Sequence, residues 1–165
     1  MTPGRLILRS AVGGFFVGHG TQKLLGWFGG HGLDATGQFF DSIGLRPGRR
    51  NALAAGAAET GAGALLTLGA ATPVAASLVT ATMLTAIKRA HLKNGPWASN
   101  GGYEYNVVLI AAALALAEVG PGSPSIDSAR CSGMKGPKWA LLSLVLGLAG
   151  AAGAHVAAGA APESA

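Results

Sequence analysis

The sequence has few charged residues and a single cysteine. Charged side chains make up 12% of its 165 residues, about half the share of an ordinary soluble domain. Such a low charge with 50% hydrophobic residues excludes a disordered chain. Because Cys131 stands alone, a disulfide scaffold and dithiol exchange within the chain are also excluded, and no nucleophile is indicated there.

Alanine and glycine are abundant instead, with 33 and 27 residues. No glycine recurs at every third position, which excludes collagen. The net charge is +5, but the basic residues lie at the ends of apolar stretches and not along one polar face. This pattern favours anionic lipid headgroups as the counter-charge and argues against nucleic acid.

Five apolar segments have about the length that a helix needs to cross a bilayer. They predict an all-α integral membrane protein with spans at about residues 6–27, 52–70, 74–92, 103–119 and 139–158. Pro73 indicates a tight turn that makes the second and third spans a hairpin. The N-terminal segment is read as a retained span because no small-residue cleavage site follows it.

The segments between the spans differ in character. Residues 29–50 carry apolar residues on one side of a short helix, which predicts a helix on the membrane surface, with a plain loop as the alternative. Residues 121–138, rich in Gly, Pro and Ser, are interpreted as a linker between a bundle of residues 1–120 and a last helix with a short tail, residues 139–165.

Small residues four positions apart indicate close helix packing in the bundle. Gly14 and Gly18 form one such pair, and Gly56 and Thr60 form another. In lipid, where the hydrophobic effect does not hold helices together, small residues let two backbones approach closely. The alternative is that a composition rich in Ala and Gly produces such pairs by chance.

Polar residues are concentrated in one half of the predicted bundle. We call the end at which the first helix begins side A and the opposite end side B. Counting along the helices puts His19 and Glu59 at the same depth below side B, about 12 Å, so that the two could meet. Lys23 comes level with Lys88 and Asn106, and Gln22, His91 and Tyr103 lie in the same half.

We expect these residues to surround a cavity that opens towards side B and is lined by the first four spans. Glu59 and His19 are the candidate catalytic residues; the candidate cofactor-binding residues are Gln22, Lys23, Lys88, His91, Tyr103 and Asn106. The alternative is a set of ion pairs, such as Glu59 with His19 or Lys23, that only lock the bundle. No metal-ligand motif or phosphate-binding loop is present, and no metal is expected.

The distribution of basic residues gives a weak orientation. Seven Lys and Arg, among them Lys23, Arg49 and Lys88, lie on side B and five on side A. The positive-inside rule therefore favours side B as the cytoplasmic side.

Several of these motifs together resemble the DoxX-like membrane proteins. The resemblance rests on Phe16 to Phe28 with its His-Gly-x-Gln-Lys-Leu, on Phe39-Phe40, on Glu59, and on the stretch from Lys88 to Asn106. It covers about residues 5–120 and implies a four-helix bundle in a bacterial plasma membrane. The fifth helix departs from that pattern.

The family resemblance also implies a role. Its namesakes are small subunits of a thiosulfate:quinone oxidoreductase, and actinobacterial relatives are linked to a membrane complex for thiol and oxidative-stress defence. The expected function is thus a subunit of a quinone- or thiol-linked redox system, with a membrane quinone as candidate cofactor. The alternatives are a non-catalytic anchor for soluble oxidative-stress enzymes and a small-solute transporter; redox-protein partners and a homo-oligomer stay open.

Overall fold

The computed structural model describes residues 3–130 and 133–159, and every regular element in this part of the chain is helical. Cys131 lies outside the described residues. The helices are α1 (Pro3–Leu25), α2 (Gly32–Ser42), α3 (Gly48–Leu68), α4 (Thr72–Ala86), α5 (Glu104–Val119), α6 (Ile126–Ala129) and α7 (Pro137–Gly159). The all-α class predicted from the sequence is confirmed.

Each predicted span coincides with one of the long helices, and α2 forms where the surface helix is expected. In the described residues, however, α7 alone is both long and apolar enough to cross a membrane by length and composition. The other four are shorter or carry more charge: α4 and α5 have 15 and 16 residues, and α1 and α3 contain Arg, Lys or Glu.

The end of α4 departs from a simple helix. From Ile87 to His91 the backbone forms a wider π-helical turn, and a short 3₁₀ turn, Leu92–Asn94, follows. The helical stretch from 72 to 91 is therefore continuous, but its last turn has a different register. π-Helical turns are frequent at functional sites, and this one carries Lys88, Arg89 and His91.

The main core lies between α1, α3, α4 and α5, and α7 packs against α4 and α5 from outside. α1 and α3 approach most closely at glycines. A Cβ atom on Gly13 would lie 2.6 Å from the carbonyl oxygen of Gly63, and one on Gly20 would lie 2.6 Å from that of Gly56. Only a hydrogen fits at these positions, so the two backbones are in direct contact.

The sequence prediction identified the wrong glycines on α1. Gly14 and Gly18 face open space, whereas Gly56 and Thr60 of α3 do contact α1. The contacting positions on α1, Gly13 and Gly20, are seven residues apart, which is about two helical turns and hence one face. A four-residue spacing alone does not tell one face of a glycine-rich helix from its neighbour.

Side A contains more buried polar structure than the sequence indicates. Arg9 is buried, and its guanidinium donates hydrogen bonds to the carbonyl oxygens of Leu66, Thr67 and Pro124. These contacts join α1, the C-terminus of α3 and the segment before α6. The prediction of a simple linker misses this attachment because Gly, Pro and Ser indicate turns but not what the turns contact.

Candidate functional site

A cavity of about 580 Å³ lies between the side B ends of the helices. Its walls come from α1, α2, α3, the end of α4, the start of α5 and also from α7, through Gly150 and Ala154. Most of the wall is apolar, formed by Ala, Phe, Leu and Ile side chains. α2 and α7 thus contribute to a cavity for which the sequence predicted only the four longer helices of the bundle.

An ion pair between two helices lies in the cavity wall. Nζ of Lys23 on α1 donates to Oε2 of Glu59 on α3 at 2.6 Å. The side chain of Glu59 is 7% exposed and that of Lys23 is 24% exposed. A buried carboxylate is costly without a partner, and the long Lys23 side chain reaches it from one turn nearer to side B.

His19 also lines the cavity, but its hydrogen bond goes to Gln22 and not to Glu59. Nε2 of Gln22 donates to the carbonyl oxygen of Phe28 at 3.2 Å, so Oε1 of Gln22 is the atom that faces Nδ1 of His19, at 3.1 Å. Nδ1 of His19 must therefore donate. In the neutral ring, Nε2 of His19 is then free to accept a hydrogen bond or a proton.

His91 has the same arrangement on another helix. Its Nδ1 lies 2.8 Å from the carbonyl oxygen of Gly101, which can only accept, so Nδ1 donates and Nε2 is the acceptor in the neutral ring. Nδ2 of Asn94 donates to the same carbonyl at 3.1 Å and holds the turn in place. Both His19 and His91 line the cavity.

The remaining predicted site residues divide into two groups. Asn106 is buried in the cavity wall, where its Nδ2 lies 3.3 Å from Sδ of Met83. Gln22, Lys88 and Tyr103 do not line the cavity. Gln22 orients His19, and Lys88 is exposed on the π-helical turn.

Two neighbours take the places of Lys88 and Tyr103 in the wall, namely Arg89 and Tyr105. A shift of one residue turns a side chain by about 100° around a helix, so an error of one or two positions changes the face. Arg89 lines the cavity in place of Lys88 because the wider π-helical turn changes the faces of both residues, and no residue type marks such a turn in the sequence. Tyr105 lines the cavity in place of Tyr103 because α5 begins at Glu104, so that Tyr103 lies before the helix.

Arg89 also makes a contact with α7. Its Nε donates to Nδ1 of His155 on α7 at 3.1 Å. The contact requires α7 to pack against α4 with the ends of both helices at the same level, and neither condition can be read from residue spacing.

No group of three His, Cys, Asp or Glu side chains in the described part of the chain could hold a metal ion. Of the predicted site residues, the structure brings five together around one cavity: Glu59, Lys23, His19, His91 and Asn106. This arrangement can bind a molecule with an apolar body and a polar head, and it offers both hydrogen-bond donors and acceptors to that head.

Comparison with known proteins gives one match. The family model of DoxX matches residues 4–92, which is more than half of the chain and includes α1 to α4 with the π-helical turn. No curated protein and no solved structure matches the chain. The chain belongs to the DoxX family, a family of membrane proteins.

Proposed function

We propose that this protein crosses the membrane five times, through α1, α3, α4, α5 and α7. The helical stretch 72–91 has 20 residues and a length of about 30 Å, which matches the hydrocarbon core of a bilayer. Large apolar side chains are exposed on most of these helices; they include Ile7, Phe15, Leu53, Val108, Leu141 and Val145. A bilayer covers such surfaces, whereas water does not.

Aromatic residues at side B support the same proposal. Trp27, Phe28 and Trp97 are all exposed and lie in the turns that follow α1 and α4. Trp and Tyr are enriched where a membrane meets water. The polar groups Glu59, Thr80 and Asn106 are buried between the helices instead, as expected for polar residues within a membrane.

The ligand class that fits the cavity best is a membrane-soluble molecule with a flat polar head and an apolar tail. A quinone is an example of such a molecule. The apolar wall accommodates the tail. Lys23 and Asn106 carry N–H donors suited to carbonyl oxygens, and the Nε2 atoms of His19 and His91 are acceptors suited to hydroxyl groups. The observation that carries the proposal is the Glu59–Lys23 pair in the wall of a mostly apolar cavity.

A quinone site gives the protein a role as a subunit of a membrane redox system. Conversion of a quinone to a quinol takes up two electrons and two protons. The electrons would come from a redox-protein partner. Glu59 and His19 would hold the protons, because each has an oxygen or nitrogen that can bind and release one near the cavity.

The test is quinone binding by the purified full chain and its variants. We expect Glu59→Gln to weaken binding of a soluble quinone analogue by tenfold or more, because the carboxylate that holds Lys23 in position and can bind a proton is lost. Binding is measured by quenching of tryptophan fluorescence. The matched control is Glu118→Gln, which makes the same change on an exposed residue outside the cavity.

Because Glu59→Gln leaves a half-buried lysine unpaired, a second variant separates binding from folding. The double variant Lys23→Gln/Glu59→Gln restores the charge balance and should fold, yet should still bind quinone weakly. Binding equal to wild type in either folded variant contradicts the proposal. If the wild type binds no quinone and the Glu59→Gln variant unfolds, the ion pair is structural, and the alternative of a membrane anchor is favoured.

A further inference from the structure

Arg89 is a cation in the cavity wall that has no anionic partner in the described residues. Its Nε donates to His155, and no carboxylate lies within ion-pair distance of its guanidinium in that part of the chain. The side chain is half-buried. A guanidinium against an apolar cavity is costly to leave uncompensated.

Among the described residues, the carboxylates near side B are all engaged elsewhere. Glu59 binds Lys23, Asp34 binds Arg49, Asp41 accepts from the backbone N–H of Gly48, and Glu104 accepts from that of Ala98. None of these carboxylates pairs with Arg89. Its counter-charge must therefore come from outside the described chain.

The surroundings of Arg89 suit a phosphate group. Nη1 of Arg89 lies beside the backbone of Gly44, where a Cβ atom would come within 3.0 Å of it. His155 holds Nε, which fixes the plane of the guanidinium. Lys88 adds a second, exposed cation on the same π-helical turn. A fixed guanidinium binds phosphate oxygens through two parallel hydrogen bonds.

We propose that Arg89, His155 and Lys88 form a binding site for the phosphate of an anionic lipid, between the side B ends of α4 and α7. Basic pockets between transmembrane helices bind anionic lipid headgroups. The five crossings proposed above, on which this inference rests, would put both helix ends at headgroup level. Val156, next to His155, is exposed and offers an apolar surface for an acyl chain. The site lies at the mouth of the cavity, and its occupancy does not depend on a quinone at Glu59.

The experiment is native mass spectrometry of the full chain in detergent, after removal of endogenous lipid. Phosphatidylglycerol and phosphatidylcholine with identical acyl chains are added in turn. We expect the wild type to retain phosphatidylglycerol preferentially, and Arg89→Gln to reduce that retention about tenfold, as expected for loss of hydrogen bonds to a charged group. The matched control is Arg50→Gln, an exposed arginine at side B that lies outside the cavity wall.

Three further measurements make the result decisive. Arg89→Lys keeps the charge but not the planar fork, so it should retain less phosphatidylglycerol than wild type even if Arg89→Gln does not fold. His155→Ala should lower retention by releasing Nε of Arg89. Millimolar inorganic phosphate should not displace the lipid; if it does, the site takes a free oxyanion and the assignment to a lipid is wrong.

Equal retention of the two lipids by the wild type would overturn the proposal. Equal losses in Arg89→Gln and Arg50→Gln would overturn it as well, because they would indicate a diffuse effect of surface charge. Quinone binding is measured separately with the Glu59 variants, so failure of one site is distinguishable from failure of the other.

Discussion

Asp127 illustrates how one buried side chain holds two helices in place. Its carboxylate accepts hydrogen bonds from the backbone N–H groups of Ala71 and Thr72 and from the hydroxyl of Thr72, and its own N–H donates to the carbonyl oxygen of Gly69. It therefore satisfies N–H groups at the N-terminus of α4 that have no partner within the helix.

We expect Asp127→Ala to lower the free energy of unfolding by about 2 kcal/mol, because the buried N–H group of Thr72 and the partly buried N–H group of Ala71 lose their acceptor. Unfolding is followed by circular dichroism during titration of detergent-solubilised protein with sodium dodecyl sulfate. The control is Asp34→Ala, which removes an exposed ion pair with Arg49 and should leave the midpoint unchanged. Equal midpoints for the two variants would contradict the capping role.

The sequence determines the position of a side chain along a helix better than its position around the helix. The depths of Glu59, Lys23, His19, His91 and Asn106 were sufficient to bring them to one cavity. The pairing of Glu59 with Lys23 and not with His19 depends on helix rotation, which residue counts do not give. Buried Arg9 and Asp127 were missed because their partners are backbone atoms of distant segments.

At the scale of elements, the contact between α1 and α3 depends on glycines on one face. We expect Gly13→Ala to destabilise the protein by about 1 to 3 kcal/mol, because the added methyl group would lie 2.6 Å from the carbonyl oxygen of Gly63 and push the helices apart. The same unfolding titration measures this change.

The adjacent variant Gly14→Ala is a matched control, since nothing lies within 4 Å of the added methyl group. We expect it to leave stability unchanged or to raise it by up to about 1 kcal/mol through better helix propensity. If Gly14→Ala were the more damaging change, the contact face of α1 would be wrong.

Sequence reasoning identified the long helices and α2 because hydrophobicity and helix breakers are local signals. It could not identify the π-helical turn at Ile87–His91, which changes the faces of Lys88 and Arg89, because no residue type marks it. Nor could it predict that α7 would contribute to the cavity, since that depends on the packing of α4 against α7.

At the scale of the whole molecule, many large apolar side chains are exposed, while several polar side chains are buried between the helices. Exposed apolar side chains occur on most of the long helices, while Glu59, Asn106 and Thr80 are buried between them. Membership of the DoxX family shows a membrane protein, and one helix of the described chain meets the length and composition of a span by itself. The proposal of five crossings rests on these features together and not on hydropathy alone.

The most direct test of this account is the side of the membrane on which each connecting segment lies. Single cysteines are introduced into a Cys131→Ser background at three exposed positions: Ser42 at the end of α2, Ser99 between α4 and α5, and Ala129 between α5 and α7. Each is labelled with a membrane-impermeant maleimide in intact cells and after lysis. With side B cytoplasmic, Ala129→Cys should be labelled in intact cells, and Ser42→Cys and Ser99→Cys only after lysis. Accessibility of all three from the same side would contradict the five-helix membrane bundle.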